Sequence, residues 1–221
     1  MHWFSESPSL RQLDPTWPVL PGTALALVPK LETGAELVGA ENALAEQMGS
    51  ARKIDFASGR HCAHLAQQQL GLPPQPILSN EGVPVWPDGQ CGSISHSKDW
   101  ALAAVSTTLR SIGVDVEARG RVTEKLFRTL FRPKEVEFFT DLPTPAPSVA
   151  FAAKEAGFKA AFPIGGTYIG FQEASIDLNW QAQRFHIRYH GNHQPNAALE
   201  SGVGFWRLTD THVIVVFAIQ D

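Results

Sequence analysis

Four short stretches carry residue types suited to chemistry on a charged substrate. In IGVDVE, residues 112–117, strand alternation places Ile112, Val114 and Val116 on one face and Asp115 and Glu117 on the other. Two carboxylates projecting together offer hard oxygen ligands to Mg²⁺, which favours a few carboxylates completed by water and substrate phosphates. Taken alone, the pair equally describes the solvated face of a half-buried strand. FAAKEAGFKA, residues 151–160, is helical in composition, so Glu155 and Lys159, at i and i+4, share a face. A surface ion pair accounts for that spacing as well. Joined to the acidic strand, however, Glu155 completes a third carboxylate and Lys159 reaches a phosphate or a leaving group.

The other two stretches are suited to anions. In GSISHS, residues 92–97, small residues and His96 meet at a strand–turn junction where a hydroxyl, backbone N–H groups and an imidazole can face a phosphate. RKIDFASGRHCAH supplies Arg52, Lys53 and Arg60 around a helix start, where guanidinium groups and open helix N–H groups both attract phosphate. The plainer readings are a surface hydrogen-bonding histidine and a solvated basic helix end.

These residues need strands and helices to hold them. Residues 23–28 form an apolar segment between Pro21-Gly22 and Pro29, as a buried strand does. From residue 35 to about 71 the chain is rich in Ala, Leu, Gln and Glu, with a break near Gly49-Ser50 and a second helix over about 58–70. Residues 82–92, GVPVWPDGQCG, read as a turn-rich loop, followed by strands at 93–97, 100–107 and 112–118. Two helices separated by Pro133 are predicted over 122–142, and another over 148–162, stopped by Pro163. Strands return at 168–178, 184–189, 203–208 and 212–219, with Asp210 at the last turn. Mixed elements without regular βαβ alternation define an α+β protein. A boundary near residues 108–111 divides it into an N-terminal subdomain, 1–110, and a C-terminal subdomain, 111–221.

Composition narrows the function. The chain has 221 residues and 18 basic against 22 acidic side chains, a formal charge of −4 that lacks the positive field of a general nucleic-acid binder. Cys62 and Cys91 stand far apart, which suggests neither a zinc knuckle nor a disulfide framework and fits a reducing cytoplasm. The N-terminus, MHWFSESPSLRQLDP, has no signal-peptide pattern, and no apolar run approaches a membrane span, so a soluble cytoplasmic protein is expected. His61, His64, His186, His190 and His193 lack the cysteine or carboxylate spacing of a zinc site. Trp86, Trp206, Phe127 and Phe131 read as packing residues.

In order along the chain, RKIDFASGRHCAH, GVPVWPDGQCGSISHS, IGVDVE and FAAKEAGFKA together resemble the phosphopantetheinyl transferases of the surfactin and enterobactin type. That resemblance implies two similar α+β halves related by a pseudo-twofold, with coenzyme A in the cleft between them. It implies that Asp115, Glu117 and Glu155 hold Mg²⁺, with Mn²⁺ as an alternative, Asp115 standing also beside the coenzyme A pyrophosphate. Arg52, Arg60 and His96 would grip the nucleotide phosphates with Ser95 beside them, and Lys154 and Lys159 would line the pyrophosphate and pantetheine arm. Relatives often carry Arg at His64, a loop lysine at Ser79 or Val83, and Trp at Phe151.

The activity so implied is that of a holo-acyl-carrier-protein synthase: the phosphopantetheine arm of coenzyme A passes to a serine of an apo acyl, peptidyl or aryl carrier, leaving 3′,5′-ADP. Glu155, directly or through a metal-bound water, takes the serine proton; Glu135 in FRPKE is a second base candidate, and Lys159 stabilises the leaving group. The basic run Arg119, Arg121, Lys125, Arg128, Arg132 and Lys134 offers a docking field for an acidic carrier or is simply a solvated face. A monomer is expected, as is usual in the family. Fatty-acid, polyketide, non-ribosomal peptide and siderophore carriers present the same serine. A Mg²⁺-dependent nuclease or phosphodiesterase, and a non-catalytic coenzyme A-binding module, are the competing readings.

Overall fold

The computed structural model describes residues 20–32, 36–192 and 196–220. The reading of the extreme N-terminus, the helix start at Ala35 and His193 lie outside the described residues. The chain divides into two compact units, Met1–Leu109 and Arg110–Asp221. Both combine helices with antiparallel strands, which is the α+β class.

In the first unit, β1 (Thr23–Pro29), β5 (Trp100–Ser106) and β4 (Cys91–His96) form a sheet in the order β1-β5-β4. Helix α1 (Glu41–Glu46) leads into α2 (Ser50–Gln69), which packs on this sheet through Cys62, Ala63 and Ala66. The helix begins at Ser50 rather than near residue 58, because Gly49 in extended conformation (ψ 156) is its N-cap and nothing after it breaks the turn. Small residues bring helix and sheet close, and the Cys62 thiol donates to Ala26 O at 2.9 Å. The stretch read as a loop, residues 82–92, contains β3 (Val83–Val85), which pairs as a hairpin with β2 (Leu78–Asn80) just before it. Its two-residue turn, Glu81 at φ 49 and Gly82 at φ 86, has the left-handed backbone that matches strand twist.

The second unit is a five-stranded antiparallel sheet in the order β6-β10-β9-β8-β7. Its strands are β6 (Ser111–Ala118), β7 (Ala174–Asn179), β8 (Arg184–Tyr189), β9 (Val203–Leu208) and β10 (His212–Ile219). Residues 168–173 do not extend β7 backwards; Phe171–Glu173 is a 3₁₀ turn. Helices α3 (Phe127–Leu130) and α4 (Pro133–Phe139) precede the long α5 (Ala146–Gly165), and α6 (Asn196–Ser201) precedes β9. Pro133 occupies the first turn of α4, where its missing N–H costs nothing. Pro163 lies inside α5 rather than ending it. Being in the last turn, it sacrifices little of the hydrogen-bond ladder.

Helix α5 lies on β6 and β10 through Ala152, Ala153, Ala156 and Ala160, all buried. The approach to β6 is close enough that a Cβ on Gly113 would run into the Ala156 carbonyl, so glycine is required there. Ser111 Oγ also donates to Ala160 O at 2.7 Å. The two elements carrying the acidic strand and the Glu155–Lys159 helix face are thereby fixed side by side. Phe127, Phe131 and Phe139 pack edge to face in the same core, and Trp206 is 1% exposed.

Candidate functional site

Gly113 and Ser111 face α5, and alternation places Asp115 and Glu117 on that same side of β6. The helix covers Asp115 to 3% exposure, which removes the solvated-face reading. From α5, Lys159 Nζ meets Asp115 Oδ1 at 2.7 Å and Val114 O at 3.2 Å. Glu155, one turn earlier, shares this neighbourhood. Burial, with the Asp115 charge added, pushes its carboxyl above the ordinary range, against the opposing pull of Lys159. Glu117 rises further, to about 7: burial leads, Asp115 and Glu155 add to it, and Arg121 and Lys159 oppose it.

Glu117 and Glu155 therefore resist ionisation, through burial first and neighbouring acids second, and Lys159 offsets only part of this. Hard oxygen donors held this way fit a divalent cation in kind and charge. Among the described residues, no three His, Cys, Asp or Glu side chains converge as a ready-made metal cluster. The fit thus rests on donor type and mutual repulsion.

Two other residues assigned to the site stand elsewhere. Lys154, adjacent to Glu155 on α5, turns inward and is 0% exposed. Its ammonium donates to Leu130 O at 2.8 Å, Glu135 Oε2 at 2.9 Å and Phe171 O at 2.9 Å. Glu135 is 5% exposed and accepts besides from the backbone N–H groups of Arg132 (2.9 Å) and Ile176 (3.0 Å). A lysine with three internal acceptors is not placed to line a phosphate, nor a carboxylate with both oxygens occupied to collect a proton. Their placement is that of a buried structural pair.

In the first unit, α2 and β4 carry the anion candidates. Arg52 is exposed in the first turn of α2. Ile94 packs against Gly59 of α2, so His96, two residues on, faces the same helix; its Nδ1 is 4.0 Å from Asp55 Oδ1, and Lys30 pairs with that carboxylate. Ser95 is buried, on the opposite face of β4 by alternation. Arg60 is nearly buried. Its Nε donates to Ile77 O at 2.7 Å and Nη2 to Leu78 O at 3.1 Å, and it lies over the Phe56 ring. Burial lowers its pKa to about 10, Glu41 opposing and Arg52 adding.

A pairing that sequence reading missed holds this region. Glu41, 0% exposed, accepts from His64 Nε2 at 3.1 Å and from the N–H groups of Ile77 (2.7 Å) and Val38 (2.9 Å). The signal was present in part: Arg60 and His64, four residues apart, fall on the α2 stripe of Phe56, Ala63 and Gln67, all buried. Burial raises the Glu41 carboxyl, but the hydrogen bonds from His64, Ile77 and Val38 outweigh it and the net shift is downward. A depressed folded pKa contributes stability above the unfolded value and loses it as pH falls through the folded one. Urea unfolding followed below pH 5 should therefore show a steeper acid loss in the parent than in Glu41→Gln; parallel pH profiles would contradict this.

An acidic strand thus lies under a lysine-bearing helix in an α+β chain that also carries a basic helix start. Two family models match it: the 4′-phosphopantetheinyl transferase N-terminal domain over residues 40–106 and the 4′-phosphopantetheinyl transferase superfamily over residues 111–216. The chain is 38% identical over 142 residues to 4′-phosphopantetheinyl transferase Npt of Nocardia iowensis, covering 62% of this chain and 64% of that one. It is 37% identical over 134 residues to 4′-phosphopantetheinyl transferase PptT of Mycobacterium tuberculosis, covering 57% and 58%. Enterobactin synthase component D of Escherichia coli O157:H7 is 33% identical over 144 residues, covering 63% and 68%. The chain belongs to the 4′-phosphopantetheinyl transferase superfamily. Its matches span less than two thirds of the Npt and PptT relatives.

Proposed function

We propose that the protein transfers 4′-phosphopantetheine from coenzyme A to a serine of an apo acyl, peptidyl or aryl carrier protein. The observation that carries this is the joining of Asp115, Glu117, Glu155 and Lys159 where β6 and α5 meet. The serine Oγ forms a bond to the pantetheine-bearing phosphorus, the bond from that phosphorus to the bridging oxygen breaks, and 3′,5′-ADP leaves. Glu155 takes the serine proton. Lys159 steadies charge on the 5′-phosphate of the departing 3′,5′-ADP. Asp115, Glu117 and Glu155 would hold Mg²⁺ or Mn²⁺, which supplies charge neutralisation at the pyrophosphate. In the first unit, Arg52 and His96 would meet the nucleotide phosphates, with Arg60 bracing the helix that carries Arg52. No helix among the described residues is long and apolar enough to cross a membrane.

The test is to incubate the purified chain with coenzyme A, Mg²⁺ and several apo carriers and weigh the carriers. A gain of one phosphopantetheine unit, abolished by EDTA, is expected. Coenzyme A binding without gain on any carrier would favour a binding module, and metal-dependent cleavage of nucleic acid would favour a nuclease.

A further inference from the structure

Lys154 and Lys159 both lie on α5 and both bond a carboxylate, but the two pairs differ in what can move. Lys154 is buried on every side, and its partner Glu135 accepts on both oxygens, so that pair is closed. The Lys159 side chain is 31% exposed while that of Asp115 is 4% exposed, so the second pair opens to solvent from the lysine end alone. The scaffold beneath it is fixed: Gly113 of β6 admits Ala156 of α5, and Ser111 Oγ bonds Ala160 O. The carboxylate cannot withdraw, whereas the four-carbon lysine stem can turn out to water.

The ammonium stands where a shared counter-ion would. It meets Asp115 Oδ1 at 2.7 Å and Val114 O at 3.2 Å, and, against the burial that raises both, its charge pulls the carboxyl pKa values of Glu117 and Glu155 down. Arg121, its side chain 56% exposed, reaches Glu117 Oε2 at 3.9 Å from the rim; of these two cations only Lys159 acts on Glu155 as well. This placement conflicts with work at a phosphate. An ammonium bonded to Asp115 has its charge largely answered before any phosphate arrives, and a divalent cation approaching Asp115 meets a positive charge already on the oxygen it would use. Both conflicts vanish if the two cations exchange.

We propose that Lys159 competes with a divalent cation for Asp115: it is the internal counter-ion of the acidic site, gives up Asp115 as metal loads, and passes to the diphosphate of coenzyme A. The inference rests on the metal-assisted transfer reading given above. Metal loading is then the event that arms Lys159 for the leaving group, and the same side chain holds the acidic strand and helix face together until that happens. The cost falls on metal affinity, which the lysine keeps weaker than the three carboxylates alone would make it.

The test reads metal and lysine separately from turnover. The EDTA-treated full chain and its Lys159→Met variant are titrated with Mn²⁺ alone, free Mn²⁺ being followed by electron paramagnetic resonance. Methionine keeps the stem and removes the competing charge, so the variant should bind Mn²⁺ about tenfold more tightly than the parent, the scale of a coupling between two occupants of one site. Mn²⁺ should also raise the urea midpoint more in Lys159→Met, because tighter binding to the folded chain stabilises it further. In the parent, where no substitution endangers folding, acetylation by a limiting reagent is mapped by mass spectrometry. Mn²⁺ should speed modification of Lys159 at least about fivefold, with exposed Lys134 unchanged and buried Lys154 unreactive. Equal or weaker Mn²⁺ affinity in Lys159→Met overturns the exchange, as does acetylation of Lys159 that Mn²⁺ leaves unchanged or slows, or absence of Mn²⁺ binding by both chains. Phosphopantetheine transfer is scored in parallel and answers a different question: transfer without the exchange removes the exchange and keeps the transferase, and exchange without transfer to any carrier does the reverse.

Discussion

Replacing Glu155 with Gln is expected to cut phosphopantetheine transfer by roughly 10³-fold, the scale of a positioned general base, while making the folded chain no less stable. The two halves of this expectation share one cause. Burial, reinforced by Asp115, raises the Glu155 pKa in the folded state. A raised carboxylate pKa means that the protonated form favours the fold and that ionisation at higher pH works against it. Glutamine keeps the shape of Glu155 and removes the charge, so near neutral pH it escapes that cost, as groups held in an unfavourable state for activity often do. Steady-state transfer by carrier mass and urea unfolding at pH 7.5 measure the two effects. Near-parental turnover would remove Glu155 from the chemistry, and a large loss of stability would show that its charge supports the fold.

How far the sequence revealed this site depends on the kind of interaction. Asp115 and Glu117 were legible because a strand has one alternation, and Ile112, Val114 and Val116 mark its other face. Glu155 and Lys159 were legible as one helix face by their spacing. Their joining was not, since it depends on Gly113 letting the α5 backbone settle on β6, a contact between positions 43 residues apart if Gly113 is counted to Ala156. Lys154 shows the limit more sharply. It is the chain neighbour of Glu155 but turns about 100° around the helix, into the interior rather than toward the acidic site. Glu41 and His64 are joined across 23 residues by a bond that no periodicity announces. Most strands were read within a few residues, whereas the β2–β3 hairpin was hidden by Pro84 inside β3 and by segments too short for alternation to register.

Lys154 also gives the second large effect, on stability instead of chemistry. Its ammonium ties the end of α3, the 3₁₀ turn at Phe171 and the carboxylate of α4 to the middle of α5. Lys154→Met retains the bulk but leaves Glu135 buried without its cation, and leaves the Leu130 and Phe171 carbonyls short of a donor. Breaking a buried pair from one side costs about 3–5 kcal/mol, a large share of the roughly 5–15 kcal/mol that keeps a domain folded. The expected result is a much lower urea midpoint, with Glu135→Gln destabilising less because its amide still accepts through one oxygen. In a double-mutant cycle the two changes should be strongly non-additive, as expected of direct partners. Under conditions where Lys154→Met remains folded, coenzyme A affinity should stay within a few-fold of the parent, since charges confined to the interior exchange little with a bound phosphate. A parental urea midpoint together with lost coenzyme A binding would reverse the assignment and return Lys154 to the ligand. That outcome would require the ammonium to leave three acceptors, and α3 and α4 to move with it.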